Sequence, residues 1–497
     1  MTEAPAAVPA APHPAPPVRL SSGAAGRLAA RTCRRPWRTA LLGLLLAGLA
    51  AAGSYDLKSH LSLGGYISED AEAGHADRWL ADHFAAGEPQ LVLLARAEGG
   101  VDAPGAAAEG RRIAAGLAAS RDVAAVHAYW NSGLPGLRSR DGREALITVR
   151  LRGDDTQATY ASERLVDRFA GRHGPLDLTA AGSGPTRSEI VSQTRHDVTR
   201  AEFLGGPLTL LILVAALGSL VAGLLPVAVG GAAVAGALLV LRLYAAVAPV
   251  SILTVNLTTS LGFGLAVDYC LLIVSRYREE SAPGRPRQEA VAAAVRSAGR
   301  TVLFSALTVA SCAAALLLVP LYFLSSMAVA VIAVTVLAAL CAVALLPALL
   351  LLAGGALDRL DPFAPLRRRL AARFGNVWNR VAHTVMRRPV PWLAAVCVLL
   401  GALALPLLGA RTTISDERVL APASPVLAAS RQIDRAFDAR ALRPVRLVLP
   451  GAAADGPAVT RYLADASRLP GVVRVAGPTG VLVHGRVVDT AAARRFT

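Results

Sequence analysis

The sequence predicts a polytopic α-helical membrane protein with mixed α+β domains outside the bilayer. Three observations carry that reading. Mean hydropathy is +0.47 over 497 residues. Several apolar runs are about 20 residues long, the length that crosses about 30 Å of hydrocarbon. Arginines cluster beside those runs, as they do where a chain turns round on the cytoplasmic side. The net charge is +16 and Lys58 is the only lysine. No stretch interleaves aromatic with basic residues, so no nucleic-acid partner is expected.

In order, residues 1–34 are Ala- and Pro-rich and are expected to form a disordered cytoplasmic terminus. Arg27, Arg31, Arg34, Arg35 and Arg38 lead into the apolar run Thr39–Gly53. That pattern fits an uncleaved first span, over 35–54, or a signal peptide. The topology favours the span. Residues 55–198 are mixed and read as an extracytoplasmic domain. Strands are expected at Gln90–Ala97, Asp122–Trp130, Ala145–Arg152 and Leu176–Ala181, and helices at Ala106–Ala119 and Gln157–Arg172. The order is β-α-β-β-α-β, a split βαβ unit.

Spans two to six are expected within 199–352, at about Phe203–Leu224, Pro226–Val247, Ile252–Val274, Val302–Val319 and Phe323–Leu352. A basic segment over 353–389 precedes span seven at 390–410. Six arginines lie in Arg276–Arg300 and eight in Arg359–Arg388. Those two segments and the N-terminus are therefore expected to be cytoplasmic, which places 55–198 and 411–497 outside. The membrane is expected to be the plasma (inner) membrane.

The chain also repeats itself. Arg388-Pro389 with Trp392 echoes Arg35-Pro36-Trp37. Pro444–Pro450, Pro457–Arg468, Gly471–Ala476 and Val481–Val488 echo strand, helix, strand and strand of the first soluble domain. On this reading 411–497 is an incomplete second domain and the chain is a truncated form of a two-repeat protein. The alternative is a divergent tail that closes on itself. Parallel repeats of this kind are a transporter design.

The functional candidate is Asp268, a carboxylate mid-way along the stretch Thr258–Glu280, with Tyr269 next to it. A charge there costs about 2.5–3.5 kcal/mol on insertion scales, and such residues are functional by default. At helical spacing Asp268 shares a face with Gly264, Leu265, Leu261 and Thr258. Ser305, Thr308 and Ser311 on span five form a polar stripe expected to face it. Burial favours the neutral carboxyl, so gain and loss of a proton would switch how the helices pack. The alternative is a structural Asp bonded to Ser305 or Thr308. No P-loop lysine, metal-binding Cys/His cluster or catalytic constellation is present. No cofactor is expected beyond a proton gradient, and no enzyme activity. Cys270, Cys312, Cys341 and Cys397 lie in apolar runs and read as small core residues.

The stretch Gly262–Glu280, GFGLAVDYCLLIVSRYREE, resembles the fourth-span motif of the MMPL family, within the resistance-nodulation-division (RND) transporter superfamily. Gly299-Arg300-Thr301 and Ser305–Ser311 look like that family's fifth span. The resemblance implies an RND-type secondary transporter of actinobacteria that exports lipids or other hydrophobic molecules on the proton-motive force. It implies Asp268 and Tyr269 as the proton-relay pair, with Ser305 lining the same site. It also implies a second Asp-Tyr pair in a tenth span. The expected partners are a hydrophobic or lipid substrate, membrane lipids, and a missing C-terminal half or a second protomer. The rivals are a non-transporting lipid-sensing or assembly subunit and a half-size transporter acting as a dimer.

Overall fold

A computed structural model describes residues 32, 34–65, 71–84, 87–132, 135–281, 285–358, 377, 380–409, 416–437, 445–449, 451–453 and 456–489. The N-terminal segment 1–31, most of the basic segment 353–389 and the start of 411–497 lie outside them. Seven described helices are long and apolar enough to cross a membrane. They are span one Pro36–Gly53, span two Ser183–Leu217, span three Leu220–Tyr244, span four Ile252–Glu280, span five Arg287–Leu318, span six Tyr322–Leu357 and span seven Pro389–Gly409. The fold is that of a polytopic membrane protein.

The chain divides into two compact units: 1–68 with 89–437, and 69–88 with 438–497. In the first unit, span six packs on spans one, three, four and five. Small residues let the backbones close up, as membrane packing requires. A Cβ on Gly262 of span four would lie 2.5 Å from Val334 Cγ2 of span six and 2.7 Å from Val234 Cγ2 of span three. No residue of span seven is buried.

The break between spans two and three falls at Gly218, upstream of the expected one between Leu224 and Pro226. Gly218 takes a left-handed φ of 69° and its N–H donates to Val214 O. Ser219 then caps span three, accepting from Ala222 N. Pro226 lies inside span three and Pro207 inside span two. Span five starts further upstream than its apolar run, because Arg287–Thr301 continues the same helix.

The soluble part of the first unit is a five-stranded antiparallel sheet. Its strands are β1 Leu91–Ala97, β2 Val123–Ala128, β3 Glu144–Leu151, β4 Gly171–His173 and β5 Leu176–Ala181, in the order β2-β3-β1-β5-β4. With helices Pro104–Ala118 and Asp155–Phe169, this is the expected split βαβ unit plus one short edge strand. Leu93 pairs with Ile147 on one side and Ala180 on the other. Leu91, Leu93, Leu117, Ile147, Leu176 and Leu178 are fully buried, each contributing about 1.5–3 kcal/mol relative to exposure.

The helix Pro425–Ala436, beyond span seven, packs on β5 of this first sheet. Ser424 Oγ donates to Glu189 Oε2 at 2.8 Å, and Gln432 Nε2 donates to Glu144 Oε1 at 3.1 Å. Glu144 also accepts from Arg96. Residues 425–437 therefore belong with the first domain rather than the second. Conversely, helix Glu72–Phe84 groups with the second unit. That unit also holds helix Pro457–Ala466 and a three-stranded antiparallel sheet of Val475–Gly477, Gly480–Val483 and Arg486–Asp489. The expected strand at Pro444–Pro450 is not formed over Val445–Leu449, and its two end residues lie outside the described set.

Candidate functional site

Span four presents two faces of different chemistry. Its buried face carries Thr254, Thr258, Gly262, Ala266, Tyr269, Ile273 and Tyr277. The opposite, exposed line carries Ser260, Gly264 and Asp268, spaced by four, with half-buried Asn256 one turn above. At 3.6 residues per turn these four positions form one ridge. A Cβ on Gly264 would meet no heavy atom within 4 Å, so the space beside Asp268 is open.

Asp268 is exposed on the outside of the bundle, and among the described residues it has no hydrogen-bond or ion-pair partner. This corrects the expectation of a carboxylate enclosed within these helices. The inward positions beside it are filled by Ala266, Tyr269 and Ile273, which leaves the 268 direction pointing away from the core. Ser305, Thr308 and Ser311 on span five are exposed as well. None bonds to Asp268. Thr308 Oγ1 donates to Phe304 O of its own helix, and Val302 and Ala306 take the inward face.

Tyr269, one residue on, turns the other way. It is 3% exposed, and its hydroxyl has no hydrogen-bond partner. Thr335 of span six is likewise fully buried with its hydroxyl unpaired. Buried polar atoms without partners are rare and call for a reason. At the other end of span four, Arg276 pairs with Glu279 at 2.6 Å and Glu280 at 3.3 Å, the ion-paired helix end that its charges imply.

The sequence reading singled out Asp268, Tyr269 and Ser305 and did not name Asn256 or Ser260, which the structure sets on the same ridge as Asp268. Their signal was the four-residue spacing that leads to Gly264 and Asp268. The structure places Asp268 and Ser305 on the exposed surfaces of two adjacent helices, and sets Tyr269 inside.

A bundle of seven apolar spans with a split βαβ domain defines a polytopic membrane protein, and an unpaired acid stands on the surface of its fourth span. The comparisons agree. The model of the MMPL family matches residues 68–392, and the chain belongs to that family. It is 32% identical over 337 residues to the trehalose monomycolate exporter MmpL3 of Mycolicibacterium smegmatis, covering 63% of this chain and 33% of that protein. It is 35% identical over 358 residues to a membrane protein of Streptomyces coelicolor, covering 70% and 49%. It is 27% identical over 471 residues to the mycolic acid-containing lipids exporter MmpL11 of M. smegmatis, covering 91% and 48%. The chain thus spans between a third and a half of the length of these relatives.

Proposed function

We propose that this chain forms the proton-accepting part of an exporter of lipids or other hydrophobic molecules, driven by the proton-motive force across the plasma membrane. One observation carries the reading. An unpartnered carboxylate stands on an exposed polar ridge of an otherwise apolar span. Facing lipid, that charge would cost about 2.5–3.5 kcal/mol on insertion scales. A second set of helices therefore covers the ridge, and Asp268 exchanges its proton in the hydrated seam between them. Tyr269 and Ser305 serve the same seam, Tyr269 by a turn of its side chain as the helices shift. The names of the relatives, exporters of trehalose monomycolate and of mycolic acid-containing lipids, support lipids as the cargo class.

The cover is a second repeat of the same protein or a second copy of this chain. The arginine-rich segments Arg276–Arg300 and Arg359–Arg388 set the orientation, with the N-terminus cytoplasmic. The energy comes from the proton gradient, with no bound cofactor.

The test is proton uptake by proteoliposomes that hold a trapped pH dye, under an imposed potential. Wild-type protein together with its cover takes up protons, and Asp268→Asn does not. Uptake by Asp268→Asn at the wild-type rate overturns the reading. A lipid-binding subunit without transport, the rival, takes up no protons in either form.

A further inference from the structure

At the outer end of the bundle, three segments distant in the chain meet at one hydroxyl. Ser62 lies just beyond span one, in the short strand Leu61–Ser62. Its Oγ is 2.7 Å from the hydroxyl of Tyr322, the first residue of span six. It is also 3.2 Å from Thr156 Oγ1, in the first turn of the soluble-domain helix Asp155–Phe169. Thr156 Oγ1 in addition accepts from Leu63 N at 3.0 Å. The Tyr322 ring lies against the backbone of Gly64 and Gly65. A Cβ at Gly65, where φ is 95°, would sit 2.6 Å from two ring carbons, so only glycine leaves room.

The same short strand is tied to span four. Leu61–Ser62 pairs in parallel with Val250–Ser251, and Ser251 is the residue before span four. Ser251 N donates to Ser326 Oγ of span six at 3.3 Å, and Thr254 Oγ1 of span four is 3.0 Å from the same oxygen. Span four carries Asp268 at its middle. A path of hydrogen bonds therefore runs from the outer ends of spans four and six through Ser62 to the capped turn of the soluble helix.

We infer that Ser62, Tyr322 and Thr156 form the joint through which a shift of span four is delivered to the soluble domain. Ser62 and Tyr322 are positioning residues. They touch no cargo and act by fixing where the Asp155–Phe169 helix stands when span four moves. The inference rests on the reading of Asp268 as the group whose protonation moves span four. The chemistry fits a movable joint rather than a fixed clamp. Hydroxyl pairs re-form at small cost when their partners slide, because each hydroxyl can donate or accept. The surrounding apolar contacts have no such freedom.

The experiment is amide hydrogen exchange on the full chain together with its cover in lipid nanodiscs, comparing wild type with Asp268→Asn, a fixed neutral side chain. Two windows are followed, Leu61–Gly65 and Asp154–Tyr160. Asp268→Asn is expected to change exchange in both by about fivefold or more, the lower end of typical coupling between sites. Tyr322→Phe or Ser62→Ala, each added to Asp268→Asn, is expected to erase the change at Asp154–Tyr160. Protection of β1 and β3 stays as in wild type, which shows that the domain is folded. Thr156→Ser, which keeps the hydroxyl, is expected to retain the response, and Thr156→Val to lose it. A response at Asp154–Tyr160 that survives both Tyr322→Phe and Ser62→Ala overturns the joint. So does a response confined to span four, which leaves the reading of Asp268 standing. No response anywhere overturns that reading and the joint with it.

Discussion

Spans one and four both expose residues on the periphery of the first unit, and polar and small residues appear in a line only on span four, beside exposed Phe263, Leu271 and Leu272. Along its apolar run, span one exposes Leu41, Leu42, Leu44, Leu45, Leu46 and Leu49. Span four exposes Ser260, Gly264 and Asp268 on its ridge. A leucine stripe is a surface made for lipid tails. A stripe of small and polar residues ending in a carboxylate is made for another helix or for water, because lipid offers it no hydrogen bonds. Equal exposure thus means two different neighbours. The inner faces show the same logic in reverse, with glycine at Gly262 where Val334 and Val234 press closest.

The largest test of that contrast is functional. Asp268→Asn is expected to abolish proton uptake, whereas Leu45→Ala on span one leaves it near wild type. Equal losses in both variants would erase the distinction between the stripes. Next comes membrane insertion, read by glycosylation-tagged translocation. Leu45→Asp places a charge on the lipid-facing stripe and is expected to lower insertion of span one by about 2.5–3.5 kcal/mol. Asp268→Leu should raise insertion of span four by a similar amount. No gain for Asp268→Leu would mean that the acid is already paired during insertion.

A third prediction compares two glycines two residues apart. Gly262→Val pushes into Val334 and Val234 and is expected to cost about 1–3 kcal/mol of bundle stability, as overpacking does. Gly264→Ala meets no neighbour and should leave thermal stability of this chain unchanged. It should still impair proton uptake, because it narrows the open space beside Asp268. Both are read by thermal unfolding in detergent. A destabilised Gly264→Ala would show that the ridge is already covered within this chain.

Tyr269 sharpens the comparison further. Its hydroxyl is buried without a partner, so Tyr269→Phe should not destabilise the bundle and could raise its stability by about 1 kcal/mol, from the cost of an unsatisfied group. A clear loss of stability would reveal a partner for the hydroxyl in the membrane. The smallest effect belongs to the soluble sheet. The Tyr129 hydroxyl and the Arg138 guanidinium both donate to Asp102 and hold its carboxyl below the ordinary value. A lowered folded-state value contributes stability above the unfolded value, about 3.9, and that contribution is lost as pH falls through the folded one. Acid unfolding of the domain should therefore deepen below about pH 4. Arg138→Met should flatten that slope.

Much of this was legible in the sequence. The seven spans and the β-α-β-β-α-β order follow from period and run length, and Leu176–Ala181 is a strand over those same residues. Asp268 stood out because no other apolar run holds an acid at such depth. What the sequence withheld was direction. Helical spacing says that Gly264 and Asp268 share a face. It does not say whether that face turns inward, which depends on how Val302, Ala306 and Ile273 compete for the core. The docking of Pro425–Ala436 on β5 was equally hidden, since its contacts run across more than 200 residues of chain to Glu189 and Glu144. The break falls at Gly218 rather than between Leu224 and Pro226 because a left-handed glycine ends a helix, whereas a membrane helix tolerates an interior proline.

Span two carries a consequence of its own. The helix Ser183–Leu217 follows β5 after the single residue Gly182, and its first part, from Ser183 to Ala201, is polar. At 1.5 Å per residue that part is roughly 28 Å long. Arg187 braces it against Asp155 at 2.8 Å. One continuous helix therefore joins the sheet to the apolar bundle. Any tilt of that helix tilts the sheet with it.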